Sequence, residues 1–294
     1  MTRPGGITMQ VQPAMMTQSM LDTWLTAHPY LKEVARFQQT VEAVLGNHEA
    51  PLPVLQWDDH VADFSQGMPL LRNRGLAQAV IDQASEPLAR LVERMTETDS
   101  PDGVRSVCAP LREALLASPG ATAGLIEQLI SGPGDEGPPE TQEMPGTIRY
   151  LGWMVLAGVL RPWVTSYERW AADTLWGRAY CPMCGAPPAM AQLARTQKGR
   201  ERFLSCGCCR CRWSFQRTAC PFCGNQDQEK LGVLELSQEE DLRLDICREC
   251  NGFLKTYTGE GEETLLLSDW STIHLDVLAG QEGFQRRARS LYDL

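Results

Sequence analysis

The sequence predicts a multi-domain α plus small-β chain, with an N-terminal helical domain, two tandem four-cysteine ribbons and a C-terminal helix. Apolar residues recur at helical spacing through the first half of the chain. Four Cys-x-x-Cys pairs then fall between residues 181 and 250: Cys181/Cys184, Cys206/Cys209, Cys220/Cys223 and Cys247/Cys250. A short amphipathic stretch follows them. These shifts divide the chain at 1–176, 177–217, 218–260 and 261–294, and 294 residues are ample for one large domain and smaller ones.

In the first segment, Leu31, Val34, Ala35, Val41, Val44 and Leu45 fall on one helical face. A second helix carries Leu76, Ala79, Val80, Ala84, Leu88, Leu91, Val92 and Met95. Leu111–Leu116 and Ala121–Ile130 read as shorter helices broken at Ser118-Pro119-Gly120. A last long helix spans about Thr147 to Trp176, with Pro162 predicting a kink or break. Its apolar run, Leu151 to Leu160, is too short to cross a bilayer and reads as buried. Between these helices, Ser131 to Gly146 is rich in Gly, Pro and acid and reads as an exposed loop. Its G-x-G-x-x-G at Gly132, Gly134 and Gly137 runs straight into Pro138-Pro139. A dinucleotide site needs a strand before the motif and a helix after it, so none is predicted.

Two Cys-x-x-Cys knuckles supply four thiolates, a tetrahedral cage suited to Zn²⁺ or a single iron. The gaps of 21 residues from Cys184 to Cys206 and 23 from Cys223 to Cys247 each hold a hairpin that returns one knuckle to the other. The first hairpin pairs Ala189–Arg195 with Arg202–Ser205, the second Leu231–Leu236 with Leu242–Ile246, and Phe253–Thr258 is a further strand. Gly185, Gly224 and Asn251 follow a second cysteine, where the turn calls for positive φ. Arg210 holds that place after Cys209 and makes this knuckle the exception. Cys208 and Cys211 form an overlapping pair. Cys206/Cys209 is the preferred register, with Cys208 and Cys211 as spare thiols.

Disulfides are the competing use of cysteine, but they belong to oxidising compartments. Residues Met1 to Met20 are Thr/Gln/Pro-rich, without the basic and apolar regions of a signal peptide. The total of 11 cysteines is odd, and Cys108, alone in an apolar stretch, reads as a small buried residue. Beyond the ribbons, Asp269 to Phe284 reads as a terminal helix with Ile273, Val277 and Leu278 on its apolar face and Ser268 as N-cap.

Net charge is −10, against a nucleic-acid coat, but it is unevenly placed. From Arg178 to Arg217 there are eight basic residues (Arg178, Arg195, Lys198, Arg200, Arg202, Arg210, Arg212 and Arg217) against Glu201 alone. From Cys220 to Tyr257 four basic residues face eight acidic ones. Docking of an acidic partner on the first ribbon, or simple balancing of thiolate charge, would each account for this. Catalytic signatures are absent: the chain has no H-E-x-x-H, G-x-S-x-G or P-loop. His28, His48, His60 and His274 are scattered without ligand spacing, and His28, before Pro29, reads as a helix start or surface residue. A closed four-sulfur cage has no position for a hydrolytic water.

Several segments together resemble the formate dehydrogenase accessory (formation) proteins, FdhE, over nearly the whole chain. They are Cys181-Pro-Met-Cys184-Gly185, Arg202-Phe203-Leu204-Ser205-Cys206, Trp213, Arg217 before Cys220-Pro-Phe-Cys223, and Cys247-Arg-Glu-Cys250 running into Gly252-Phe253-Leu254-Lys255. Asp269, Thr272, Leu275, Asp276 and Gly283-Phe284 match the C-terminal signature, and His28-Pro29-Tyr30-Leu31 and Met68-Pro69-Leu70-Leu71 the helical landmarks. Arg210 stands where the family pattern has glycine, and Cys208 and Cys211 are extra.

The resemblance implies two rubredoxin-like metal modules after a helical domain. It also implies a cytoplasmic, non-enzymatic chaperone whose partner is the molybdenum-containing catalytic subunit of respiratory formate dehydrogenase before export. No nucleic-acid partner and no membrane insertion are expected. A rubredoxin-like electron carrier is the second reading, because a sulfur cage also admits iron. A nucleic-acid-binding zinc ribbon is the third, prompted by the basic segment beside Trp213 and Phe215.

Overall fold

The structure is a computed structural model that describes residues 17–46, 50–118, 120–131, 144–171, 176–197, 199–236 and 239–288. Residues 1–16, the G-x-G-x-x-G segment, His48, Pro119 and Lys198 lie outside the described residues.

The helical half contains α1 (Gln18–Ala27), α2 (Lys32–Leu45), α3 (Val61–Ser65), α4 (Arg74–Arg94), α5 (Asp102–Ala117), α6 (Ala121–Ser131) and α7 (Gly146–Trp170). Helix α4 packs against α5, α6 and α7. The Asn73 side chain caps it by accepting from the Gly75 and Leu76 N–H groups at 3.0 and 3.3 Å, donors that an open helix end leaves unpaired. Its buried face carries Val80, Ile81, Ala84, Leu88, Leu91 and Val92, as the period of the sequence predicts. Helix α7 is buried around most of its circumference and forms the spine of the core. A Cβ on Gly152 would lie 2.2 Å from Leu129 Cδ1, so the close approach of α6 and α7 depends on that glycine.

Two helical expectations are corrected. Helix α7 ends at Trp170 and stays continuous through Pro162, which lies on an exposed face while Leu160, Trp163, Val164 and Tyr167 anchor the opposite side in the core. Helix α5 begins at Asp102, well before Leu111, and carries Pro110 within it. Cys108 on α5 is fully buried, as expected.

The second half forms one sheet in the order β3-β2-β1-β6-β5-β4. The strands are β1 (Pro188–Thr196), β2 (Gly199–Cys206), β3 (Arg212–Ser214), β4 (Leu231–Glu235), β5 (Leu242–Cys247) and β6 (Gly252–Tyr257). A short β7 (Gln285–Arg286) pairs with β6. Both expected hairpins form, β1 with β2 and β4 with β5, and β6 continues the second. The sequence reading missed the join between ribbons: β1 and β6 run parallel, with Met190, Ala191 and Gln192 opposite Lys255, Thr256 and Tyr257.

The C-terminal segment is less regular than predicted. It comprises α8 (Glu263–Leu266), a 3-10 turn at Asp269–Thr272, and α9 (His274–Gln281). Ser268 precedes the turn but caps nothing. These pieces close over the second ribbon with Leu21 of α1 and Ala35 of α2, forming a second core with Leu244, Ile246, Phe253, Tyr257, Trp270 and Leu275.

Lys255 on β6 is 1% exposed. Its Nζ lies 2.7 Å from Asp269 Oδ1 and 3.1 Å from Asp276 Oδ2, and Arg286 bridges the same two carboxylates at 2.6 and 2.5 Å. Burial pushes the Asp269 carboxyl upward, but Lys255 and Arg286 outweigh it and hold the group well below the usual carboxylate range. For Asp276, burial wins and the carboxyl is raised.

Breaking a buried pair strands a charge, so Lys255→Met should cost about 3–5 kcal/mol in chemical denaturation. A folded-state pKa depressed below the unfolded value of about 3.9 stabilises above that value and loses the contribution as pH falls. In Lys255→Met the restraint on Asp269 is weakened, so the deficit against wild type should hold from about pH 7 to about 4 and shrink as pH falls below that.

Candidate metal centres

Each knuckle is built the same way. Cys181, Cys206 and Cys220 donate their backbone N–H to the carbonyl five residues on, at Ala186, Cys211 and Asn225, over 2.9, 2.9 and 2.8 Å. Cys247 is paired with Gly252 at the same interval. The residue after each second cysteine has positive φ: Gly185 at 78°, Arg210 at 62°, Gly224 at 74° and Asn251 at 52°. Arg210 therefore adopts the turn that glycine would take, at a cost on the order of 1–2 kcal/mol for an L-residue. Its guanidinium reaches Met154 Sδ at 3.3 Å.

The turns bring Cys181, Cys184, Cys206 and Cys209 into one group and Cys220, Cys223, Cys247 and Cys250 into another, with the sulfurs of each group within 4.8 Å of one another. In the first, Cys181 to Cys209 is 3.4 Å, Cys184 to Cys206 3.5 Å and Cys184 to Cys209 3.7 Å. In the second, Cys220 to Cys250 is 3.8 Å and Cys223 to Cys247 3.7 Å. A tetrahedron with Zn–S bonds of about 2.3 Å has edges of about 3.8 Å, so each quartet could hold an ion after small adjustment. No pair is bonded as a disulfide.

The two sites differ in their surroundings. All four cysteines of the first are buried, and with Cys208 and Cys211 they belong to the core that contains Trp153, Met154 and Trp163 of α7. The Met68-Pro69-Leu70-Leu71 segment clamps this knuckle: the Leu70 and Leu71 N–H groups donate to the Pro182 and Met183 carbonyls at 2.8 and 2.9 Å. Cys208 and Cys211 lie outside the quartet but are buried beside it, next to Cys184 and Cys181 respectively. In the second site Cys223 is exposed and Cys250 half-buried. There Asn225 Nδ2 lies 3.7 Å from Cys247 Sγ.

The basic first ribbon is only partly a surface. Arg202 is 5% exposed, donates to the Ala219 carbonyl at 2.7 Å and to the Gln216 carbonyl, and lies 3.7 Å from Asp245 of the second ribbon. The Arg212 side chain donates to Gln192. Arg178, Arg195, Arg200, Arg210 and Arg217 remain exposed. Counting charge along the sequence therefore overstated the cationic face by Arg202 and Arg212, which serve internal contacts.

His28 and His274 are not scattered. His28 closes the end of α1, yet it is buried, and both rings meet Glu239 before β5. No local spacing announced this cluster, because its members come from three distant segments. His60 sits apart against Trp57 and Phe64. Among the described residues, no helix is long and apolar enough to cross a membrane.

No sequence-family profile matches the chain. Individual relatives do. An FdhE homologue from Stutzerimonas stutzeri is 29% identical over 273 residues, covering 90% of this chain and 84% of the relative. One from Pseudomonas aeruginosa is 29% identical over 197 residues, 63% of this chain and 60% of the relative. One from Aquifex aeolicus is 30% identical over 118 residues, 39% of this chain and 42% of the relative. The crystal structure of the FdhE protein from Pseudomonas aeruginosa has a similar fold, with a TM-score of 0.58 at 23% identity, covering 91% of this chain and 92% of that one. The resemblance to FdhE proteins read from the motifs is thus borne out. So is the fold class: a helical N-terminal region followed by a small sheet with two four-cysteine groups.

The knuckle backbone and the thiols can be tested separately. A Cβ at Gly224 meets nothing within 4 Å, so Gly224→Ala isolates backbone strain and should lower stability by about 1–2 kcal/mol. Arg210→Gly, which relieves the same strain, should be neutral or stabilising by up to about 1 kcal/mol in thermal or chemical unfolding. Burial pushes the Cys220 thiol up to about 12, so an ion must displace its proton, and apparent affinity should rise with pH. Chelator competition should give at least about a tenfold gain per pH unit near neutrality, one decade for each proton displaced.

Proposed function

We propose that this chain is a cytoplasmic assembly factor for respiratory formate dehydrogenase. It binds the molybdenum-containing catalytic subunit before export and does not itself turn over substrate. The observation that carries this reading is the likeness to an FdhE homologue over 90% of the chain. The sulfur groups support a binding role over a catalytic one, because a four-thiolate shell leaves no open coordination position for a reacting water.

In this reading the eight cysteines are ligands. Cys181, Cys184, Cys206 and Cys209 hold one iron or zinc ion, and Cys220, Cys223, Cys247 and Cys250 hold another. Residues 1–176 act as a helical platform, 177–217 and 218–260 as rubredoxin-like modules, and 261–294 as a C-terminal clasp. Exposed Arg195, Arg200 and Arg217 offer a charged contact for the partner. An electron-carrier role is the second reading. It is favoured by the exposure of Cys223, which brings one metal–sulfur edge to solvent.

Deleting the gene in the native host should abolish respiratory formate dehydrogenase activity while the catalytic polypeptide is still synthesised. Wild-type protein should restore activity, whereas a Cys184→Ser, Cys250→Ser double variant should fail and lose both thiolate-bound ions. Cys108→Ser should retain them. Normal formate oxidation in a deletion strain that encodes no related protein rejects the assembly role. Reversible one-electron cycling of the iron-loaded protein, abolished in Cys223→Ser, would favour the carrier.

A further inference from the structure

Outside the sulfur groups, His28, Glu239 and His274 form the one other metal-competent cluster among the described residues. His28 Nε2 lies 2.7 Å from Glu239 Oε1, and His274 Nε2 lies 3.0 Å from the same oxygen. The three residues come from the end of α1, the turn before β5 and the start of α9.

The second nitrogen of His28 restricts what these distances mean. Nδ1 is 3.0 Å from the Trp24 carbonyl, which can only accept, so Nδ1 carries the ring proton. In a neutral imidazole this leaves a lone pair on Nε2, aimed at a carboxylate oxygen that also only accepts. A cation between them resolves the conflict. Fixing the tautomer through a backbone carbonyl is how proteins orient ligating histidines. Trp24 also holds the ring in place, stacking on it at 3.8 Å, and donates its own Nε1–H to the Ser271 carbonyl beside His274.

We propose that His28, Glu239 and His274 form a third metal site, for a first-row divalent ion such as Zn²⁺ or Fe²⁺, bound through nitrogen and oxygen rather than sulfur. Two imidazoles and one carboxylate suit these ions and leave coordination positions open. With bonds of about 2.0–2.1 Å, neighbouring ligands are about 2.9 Å apart at right angles, as in an octahedral ion, and about 3.3 Å apart in a tetrahedron, so a tetrahedral Zn²⁺ needs the side chains to part by a few tenths of an ångström. Tyr30, 59% exposed, sets its ring edge against both imidazoles and marks the solvent side. An ion here would tie the first helix to the second ribbon and the C-terminal helix, independently of what the sulfur sites hold and of the assembly role.

Full-length protein equilibrated with Zn²⁺ and desalted should retain three ions per chain, and His274→Ala should retain two. Glu239→Gln keeps a hydrogen-bond acceptor of the same shape, so folding is preserved. Affinity for the third ion should still fall at least tenfold. In Co²⁺-loaded protein the thiolate absorption should be equal in wild type and both variants, because the third ion has no sulfur ligand. Two ions in saturated wild-type protein would overturn the proposal whether or not any variant folds, leaving the three side chains as a hydrogen-bonded cluster. Retention of the third ion at unchanged affinity in both variants would overturn it as well.

Discussion

Three residue pairs join the two ribbons. The parallel contact of Met190–Gln192 with Lys255–Tyr257 turns two ribbons into a single sheet. Without it each sulfur group would sit on a separate three-stranded ribbon, held to its neighbour only through side chains and the helices that cover it. With it, β6 is covered on both faces: Leu254 enters the helical core, while Phe253 and Tyr257 enter the second core. The cost of this position falls on Lys255, which must find two carboxylates in the interior because no water reaches it there.

The same join gives the two sulfur groups unlike environments despite nearly identical turns. The first ribbon faces α7 and the Pro69–Leu71 segment, so its cysteines are enclosed by large apolar side chains. The second ribbon directs its strands toward α9 and leaves its knuckles at the rim. Spacing and turn chemistry therefore set what each quartet can bind, while packing around the sheet sets how far solvent and partners can approach it.

Local rules were legible where local chemistry dominates. The glycines and the asparagine after the cysteines marked positive φ because few other residues adopt it without strain, and the hairpin lengths followed from the gaps. Arg210 adopts the same angle against its preference, which indicates that closing the four-sulfur group outweighs a single residue's propensity. What the sequence concealed is long-range. A parallel pair reached through four intervening strands has no local signature. Arg202 counts as surface charge until Asp245 and the Ala219 carbonyl are seen to enclose it. The His28–Glu239–His274 cluster draws on residues with no common spacing, and Pro162 remains helical where Leu160, Trp163, Val164 and Tyr167 hold the other face of α7 in the core.

Burial of the first quartet has a kinetic consequence. Cys181, Cys184, Cys206 and Cys209 are at most 8% exposed, so no chelator or exchange ligand can reach an ion there while the surrounding helices stay packed. Turnover of an ion held there would be tied to opening of the domain, a rare event on the scale of native-state lifetimes. An ion beside exposed Cys223 can instead exchange from the folded protein. The chain would thus carry one centre committed at the time of folding and another that continues to sample the metal pool around it.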